Sequence, residues 1–445
     1  MATRVNRRDF VRSVGLGMAA APALRAGATK SWYPEAGLGL FIHWGISSVA
    51  GKELSWSMFQ DVGKAPPEQY YALADRFNPA NYDPDRWLVA AAKAGFRYAV
   101  LTTRHHDGYS LWPSERGDFG TRQHLAGRDL LRPYVEACHR NGIKVGFYYS
   151  PTDWHFNPKG WPWRGFPLRD PRFRWRRSER AQGIPRYADF PMGEFQKCFE
   201  VFYDCVSGQV SELLTRYGKI DLLWFDGYDW PAGVEHHPLE LDALVRRLQP
   251  GIVVNDRNMI WDVGRMLGDF STEFEGHRPN ARPRGVWEQS EAVCGTWSYA
   301  GPAAECRSAA YILGQLVRNR SWGGNFLVNF GPGPDGEMPP SFYQRCAELA
   351  TWMRHSGVSV YGVEAGPYPE QSDAPVTVAG DVWYVHFLPG ERRMATLRGV
   401  KTPASARLLR TGQSVPWTRD GDRLTVSLPE ESPGNTVEVI EFRWV

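Results

Sequence analysis

No stretch of the sequence is long and apolar enough to cross a bilayer as a helix, which takes about 20 apolar residues, so no membrane span is expected. An excess of charge of one sign is missing too: 52 Lys and Arg face 49 Asp and Glu, a formal balance of +3. The densest basic stretch, residues 172–180, is broken by aromatics and a Glu, which argues against a nucleic-acid partner. Cysteines number only six, at 138, 198, 205, 294, 306 and 346, and none forms a C-x-x-C pair. That spacing speaks against a zinc cage or a dithiol redox motif. Cys198 and Cys205 sit seven apart on an expected helix, about 10 Å along its axis at 1.5 Å per residue, beyond disulfide reach. No disulfide framework is therefore expected. Internal repeats and low-complexity tracts are absent as well.

Aromatic residues, by contrast, are plentiful, with 19 Trp, 19 Tyr and 22 Phe. Flat rings stack on the C–H faces of sugars, so the excess is compatible with a carbohydrate groove, and large barrel cores account for much of it too. The chain has 445 residues, more than one ordinary core holds, so two domains are expected. Its first residues read as an export signal. Asn6-Arg7-Arg8-Asp9-Phe10-Val11-Arg12 precedes a short apolar run, Ser13 to Leu24, and a small-residue end at Ala26-Gly27-Ala28. Paired arginines before such a run are the twin-arginine pattern. Residues 1–28 are thus expected to be removed, leaving a periplasmic or secreted protein of bacterial origin.

Beyond the leader, continuously apolar runs end in polar tips and alternate with helical patterns. Gly37 to Ile42 ends in His43-Trp44-Gly45; Tyr98 to Thr102 ends in Arg104-His105-His106-Asp107-Gly108. Lys144 to Ser150, Ile220 to Asp226-Gly227, Gly251 to Arg257 and Asn325 to Gly331 follow. Helices are expected over 66–77, 84–94, 129–141, up to about 217, and 340–355, the second opened by Asp83 before Pro84. Strands that are apolar throughout, interleaved with helices, predict a parallel (β/α)8-like barrel over 29–356. After Gly357 the text shifts to short alternating runs, such as Val376–Ala379 and Val382–Phe387, with Pro-Gly and Asp-Gly turns. That predicts a C-terminal antiparallel β-sandwich over 357–445.

In a parallel barrel the strand tips converge on one face, where chemistry is done. They bring together His43, His105, His106, Tyr149, Trp224, Asp226 and Arg257, with Glu273, Glu275 and Glu288 further on. Two carboxylates among histidines and tryptophans are what glycoside hydrolysis requires: one attacks the anomeric carbon, the other protonates the leaving oxygen. Imidazoles and a guanidinium can bond sugar hydroxyls while indoles stack on the ring.

These stretches resemble glycoside hydrolase family 29, the α-L-fucosidases. The matching pieces are Gly39 to Gly45, Leu101 to Tyr109, Val145 to Ser150, Leu223 to Gly227, Val254 to Arg257, Trp287-Glu288 and Gly323 to Gly336. They run in order across the expected barrel. The resemblance implies a barrel followed by a β-sandwich, an exo-acting retaining mechanism without metal or cofactor, and a fucosylated glycan or small fucoside as partner. It also implies Asp226 as nucleophile, with His43, Trp56, His105, His106, Tyr149, Trp224, Arg257 and Glu288 lining the sugar pocket. For the acid/base, Gly268 to Glu273 resembles a segment that carries it, which favours Glu273, on a mobile loop; Glu288 competes and Glu275 is close by. One departure stands out: where the family often has Glu-Trp-Tyr, this chain has Ser55-Trp56-Ser57, with Glu53 two residues earlier. Other readings stay open: another L-galacto-configured sugar, a non-catalytic carbohydrate-binding protein, or a metal hydrolase using His43, His105, His106, Asp107 and Asp226. Against the last, adjacent side chains on a strand point to opposite faces.

Overall fold

A computed structural model of the protein describes residues 31–51, 53–58, 65–156, 192–227, 237–257 and 267–444. The expected leader and most of the aromatic, arginine-rich stretch from about 152 to 191 lie outside the described residues. Tyr33–Val445 form one compact unit.

Eight parallel strands are ordered β5-β4-β3-β2-β1-β8-β7-β6. They are β1 (Leu38–Ile42), β2 (Tyr98–Arg104), β3 (Lys144–Tyr149), β4 (Leu222–Phe225), β5 (Val253–Val254), β6 (Ser271–Glu275), β7 (Trp287–Ala292) and β8 (Asn325–Phe330). The two ends of the row meet through a parallel bridge between Asn255 and Phe270. The Asp269 N–H also donates to the Val254 carbonyl at 2.7 Å. The sheet thus closes into the expected barrel. Helices Pro84–Lys93, Leu131–Arg140, Met192–Arg216, Pro238–Leu248, Ala309–Ser321 and Pro340–Ser356 lie between or after the strands. Asp83 caps the first of these, accepting from the Asp85 N–H at 3.1 Å, with Pro84 in the first turn.

Strands buried on both faces explain the unbroken apolar runs. Along β3 and β4, Val145, Phe147, Tyr149, Leu223 and Phe225 pack outward with Tyr134, Val210 and Leu213 of the helices. The alternate residues, Tyr148 and Trp224 among them, face the barrel interior. β6 and β7 were not anticipated as strands. β7, Trp-Glu-Gln-Ser-Glu-Ala, is polar yet almost wholly buried, because its side chains find partners inside the fold. Glu288 and Glu291 both accept hydrogen bonds, and Gln289 pairs with Asn319 at 3.0 Å. β6 carries a register shift between Ser271 and Phe274. Glu273 therefore sits on a strand, not on the mobile loop expected for it.

After the last barrel helix come two antiparallel sheets. One is ordered β13-β16-β11-β10-β9 and the other β12-β15-β14. The strands are β9 (Glu364–Ala365), β10 (Val376–Ala379), β11 (Val382–Phe387), β12 (Met394–Arg398), β13 (Pro403–Leu408), β14 (Trp417–Asp420), β15 (Arg423–Ser427) and β16 (Glu438–Trp444). Val385, Phe387, Ile440 and Phe442 of the first sheet share a core with Leu397, Leu424 and Val426 of the second, as a sandwich requires. The sandwich is welded to the barrel. Val382, Tyr384, Val437 and Val439 join the barrel's own core, and the Trp352 indole donates to the Val437 carbonyl at 2.7 Å.

The expectation of no disulfide is overturned. Cys294 and Cys306 are bonded, with Cα atoms 4.1 Å apart. They are twelve positions apart, but the segment after β7 doubles back, and the Arg307 N–H reaches the Val293 carbonyl at 2.8 Å. Cys138, Cys205 and Cys346 are free and buried. Among the described residues no helix is long and apolar enough to cross a membrane.

Candidate active site

At the C-terminal ends of the strands lies a small open-mouthed pocket. Its floor is built by parity. β1 delivers Phe41 and His43, β3 delivers Tyr148, and β4 delivers Trp224 and then Asp226 just past its end. Tyr148 and Trp224 are register partners on adjacent strands, so their rings stack at 5.6 Å. Gly227 follows Asp226 with φ +73°, a turn that a side chain would strain.

Asp226 is held from three sides. The Tyr148 hydroxyl donates to Oδ2 at 2.8 Å, and Arg257 Nη1 donates to Oδ1 at 3.0 Å. His106 Nε2 lies 3.6 Å from Oδ2. Burial alone would raise its pKa, but Arg257, His106 and Tyr148 together outweigh it and hold the carboxyl below the usual range. Arg257 also bonds Glu275 Oε2, at 3.2 Å from Nη1 and 3.1 Å from Nη2, and its guanidinium lies 4.9 Å from the centre of a Trp224 ring. The Asp226 and Glu275 oxygens thus touch one nitrogen, so their separation cannot exceed the sum of those two bonds. That is compatible with the roughly 5–5.5 Å carboxyl spacing of retaining glycosidases.

The histidines are fixed by their other nitrogens. His43 Nδ1 pairs with Asn329 Oδ1 at 2.7 Å, His105 Nδ1 with Ser55 Oγ at 2.7 Å, and His106 Nδ1 with Ser150 Oγ at 2.6 Å. Burial lowers His43 to about 4, against the pull of Asn329 and Asp226. Burial, then His106 and His43, lowers His105 well below its ordinary value. Both imidazoles are therefore neutral near pH 7. His43 spends its proton on Asn329 Oδ1, so its Nε2 can only accept from a hydroxyl, whereas His105, paired with a hydroxyl, can donate or accept.

The structure brings His43, Trp56, His105, Trp224, Asp226 and Arg257 together around this pocket, with His106 against Asp226. Three expected residues are placed elsewhere. Tyr149 faces outward, bonding Gln209 at 2.9 Å and packing under Arg104; its neighbour Tyr148 takes the pocket position. Glu273 is exposed and does not line the pocket; the register shift in β6 brings Glu275 in instead. Glu288 is buried in the barrel interior, accepting from Tyr33 at 2.6 Å, from Tyr98, and from the Trp224 indole at 3.0 Å. Burial raises it to about 7 against those three donors. It supports Trp224 from below rather than lining the pocket.

Several lining residues carried no sequence signal: Phe41, Leu54, Ser290 and Trp297. The departure at Ser55 is also resolved. Ser55 orients His105, while Glu53 turns to Thr296 and to the Trp297 N–H, so neither places a carboxylate in the pocket. As for a metal, His105, His106 and Asp226 each offer a ligand atom, all within 4.8 Å of one another. Strand alternation does not separate the two histidines, because β2 ends at Arg104 and their rings lie 4.2 Å apart. The Arg257 cation on Asp226 opposes a second cation there. Asp107 faces away, bonded to Tyr70 at 2.7 Å.

The family described as "Alpha-L-fucosidase" matches residues 19–358. Mouse tissue alpha-L-fucosidase is 27% identical, over 93% of this chain and 90% of its own. The structure is similar to alpha-L-fucosidase isoenzyme 1 from Paenibacillus thiaminolyticus, with 32% identity, TM-score 0.78, and coverage of 93% and 97% of the two chains. It is also similar to a Bacteroides thetaiotaomicron alpha-L-fucosidase GH29 trapped as a covalent intermediate with 2-fluoro-fucosyl fluoride. That match has 25% identity, TM-score 0.75, and covers 92% and 94%. This chain therefore belongs to the α-L-fucosidases of glycoside hydrolase family 29 and is a glycosidase.

Proposed function

We propose that the protein is an exo-acting, retaining α-L-fucosidase in which Asp226 is the nucleophile and Glu275, rather than Glu273, is the general acid/base. The observation that carries this reading is the Arg257 bridge: one guanidinium holds both carboxylates at the pocket floor. An Asp226 Oδ attacks the anomeric carbon as the C–O bond to the aglycone breaks, and Glu275 gives its proton to the leaving oxygen. Water then attacks the glycosyl ester, passes a proton to Glu275, and frees Asp226. For the acid role Glu275 has to leave Arg257 and carry a proton once sugar is bound. The neutral His43 and His105, with His106, suit the ring hydroxyls. Phe41, Trp224 and Trp297 form an apolar wall that favours a methyl over a hydroxymethyl group at C5.

The substrate claim is tested with aryl α-L-fucoside beside the matching α-L-galactoside and β-D-galactoside; preference for either of the others would overturn it. The acid/base claim is tested by azide. With an activated aryl fucoside, Glu275→Ala is expected to be rescued by azide with retention, and Glu273→Ala to behave like the parent protein. The reverse pattern returns the role to Glu273. Export through the twin-arginine route is part of the same proposal. Arg7→Lys with Arg8→Lys should hold precursor in the cytoplasm, and unchanged periplasmic yield would contradict it.

A further inference from the structure

The loop between β7 and the helix Ala309–Ser321 leaves the barrel on the pocket side. Trp297, near its middle, forms part of the pocket wall. The Trp297 ring lies 5.1 Å from that of His43 and 5.9 Å from that of Phe41. Its backbone is coupled to the same histidine. The Trp297 carbonyl accepts from Asn329 Nδ2 at 2.8 Å, while Oδ1 of that amide pairs with His43. Thr296 and the Trp297 N–H both bond Glu53, and Ser298 Oγ meets Ser47 Oγ at 2.9 Å. A shift of this loop therefore moves a pocket wall and disturbs the amide that orients His43.

At its base the loop is closed by the Arg307–Val293 backbone bond and by the Cys294–Cys306 disulfide. We propose that this disulfide is a positioning element of the sugar pocket: it fixes the loop that presents Trp297, and its reduction loosens substrate binding without removing the reacting carboxylates. The claim rests on the reading of the pocket as a fucoside site. Closing the loop limits its accessible conformations, and a pocket wall displaced by even an ångström costs affinity. Both cysteines are half-buried, within reach of a small reductant. Cys138, Cys205 and Cys346 are buried free thiols, and burial pushes each of them up, away from reactive thiolate. A dithiol reagent reduces the bond by exchange: its own two thiols become a disulfide, and Cys294 and Cys306 each end as a thiol.

The test compares oxidised protein, dithiothreitol-reduced protein and the double variant Cys294→Ser, Cys306→Ser. Steady-state kinetics on 4-nitrophenyl α-L-fucoside are paired with amide hydrogen exchange over residues 293–308. Reduction and the double variant are expected to raise KM roughly fivefold or more, with a much smaller change in kcat, and to speed exchange in this loop selectively. Trp297→Ala should raise KM and then respond little to reductant, because the wall the disulfide holds is already gone. Unchanged KM and exchange on reduction would overturn the proposal, as would an undiminished response to reductant in Trp297→Ala. If the oxidised protein hydrolyses no fucoside at all, the functional reading fails. Loop exchange that ignores reductant would still overturn the positioning claim separately.

Discussion

Tyr148 and Tyr149 are chemically identical and one position apart, and the strand sends them to opposite sides of the barrel wall. Tyr148 donates to the Asp226 carboxylate, a charge-assisted bond worth about 1.5–3 kcal/mol. Tyr148→Phe is therefore expected to lower kcat/KM by roughly ten- to a hundredfold. Tyr149→Phe loses only the bond to Gln209, so its kcat/KM should stay within about threefold, with about 1 kcal/mol lost in urea unfolding instead. Equal kinetic losses in the two variants would contradict the assignment. The pair also shows the limit of the sequence at this scale. His43, Trp224, Asp226 and Arg257 were legible because each is the polar or aromatic end of an apolar run. In Lys144 to Ser150 both faces are apolar, so no alternation tells which tyrosine faces inward. Glu275 was obscured differently, by a register shift that breaks the i, i+2 rule along β6.

At the scale of elements, the strands that were missed are those whose burial does not depend on apolar residues. β7 buries polar side chains against partners contributed from far along the chain, as Tyr33 and Tyr98 do for Glu288, and no local pattern announces that. The helices over 84–94, 129–141, up to about 217 and 340–355, with β1 to β5 and β8, were legible because helix caps, glycine stops and continuous apolar runs are local; the helices Pro238–Leu248 and Ala309–Ser321 were not read. The interior is packed closely enough to test. A methyl group on Gly39 of β1 would overlap the Tyr98 ring, and Tyr98 is one of the three donors to Glu288. Gly39→Ala should cost roughly 1–3 kcal/mol by overpacking, measured by urea unfolding, and reduce kcat/KM as Trp224 loses its support. Stability within about 0.5 kcal/mol of the parent protein would show that the layer beneath the pocket is looser than described.

Across the whole molecule, the last barrel helix ends at Ser356 and the antiparallel strands follow from Glu364. The joint between them was not legible, because it is made of apolar side chains that look like any strand face. His386 of β11 lies in that sandwich. The Thr377 hydroxyl donates to the Ser359 carbonyl at 2.6 Å, so its 3.0 Å bond with His386 Nε2 needs the proton on Nε2. Nδ1 is then a buried nitrogen without a partner, and burial lowers His386 to about 3. Between that value and the unfolded value near 6.5, the unfolded chain binds the extra proton. This contribution to stability is thus intact above about pH 6.5 and falls by about 1.4 kcal/mol per unit as pH drops. His386→Gln should remove that slope, so the stability gap between parent and variant should narrow by about 2–3 kcal/mol from pH 7 to 4.5. An identical gap at both values would mean the imidazole is not held neutral.

The mechanism turns on which carboxylate bonds to the sugar. Inactivation with 2-fluoro-fucosyl fluoride, followed by proteolysis and mass spectrometry of the labelled peptide, reads that directly. The fluorine slows release of the glycosyl ester, so a double displacement leaves one sugar per chain on its nucleophile. The expected result is a single label on Asp226, abolished in Asp226→Asn. A label on Glu273, Glu275 or Glu288, or turnover of the reagent with inverted product and no label, would contradict the account.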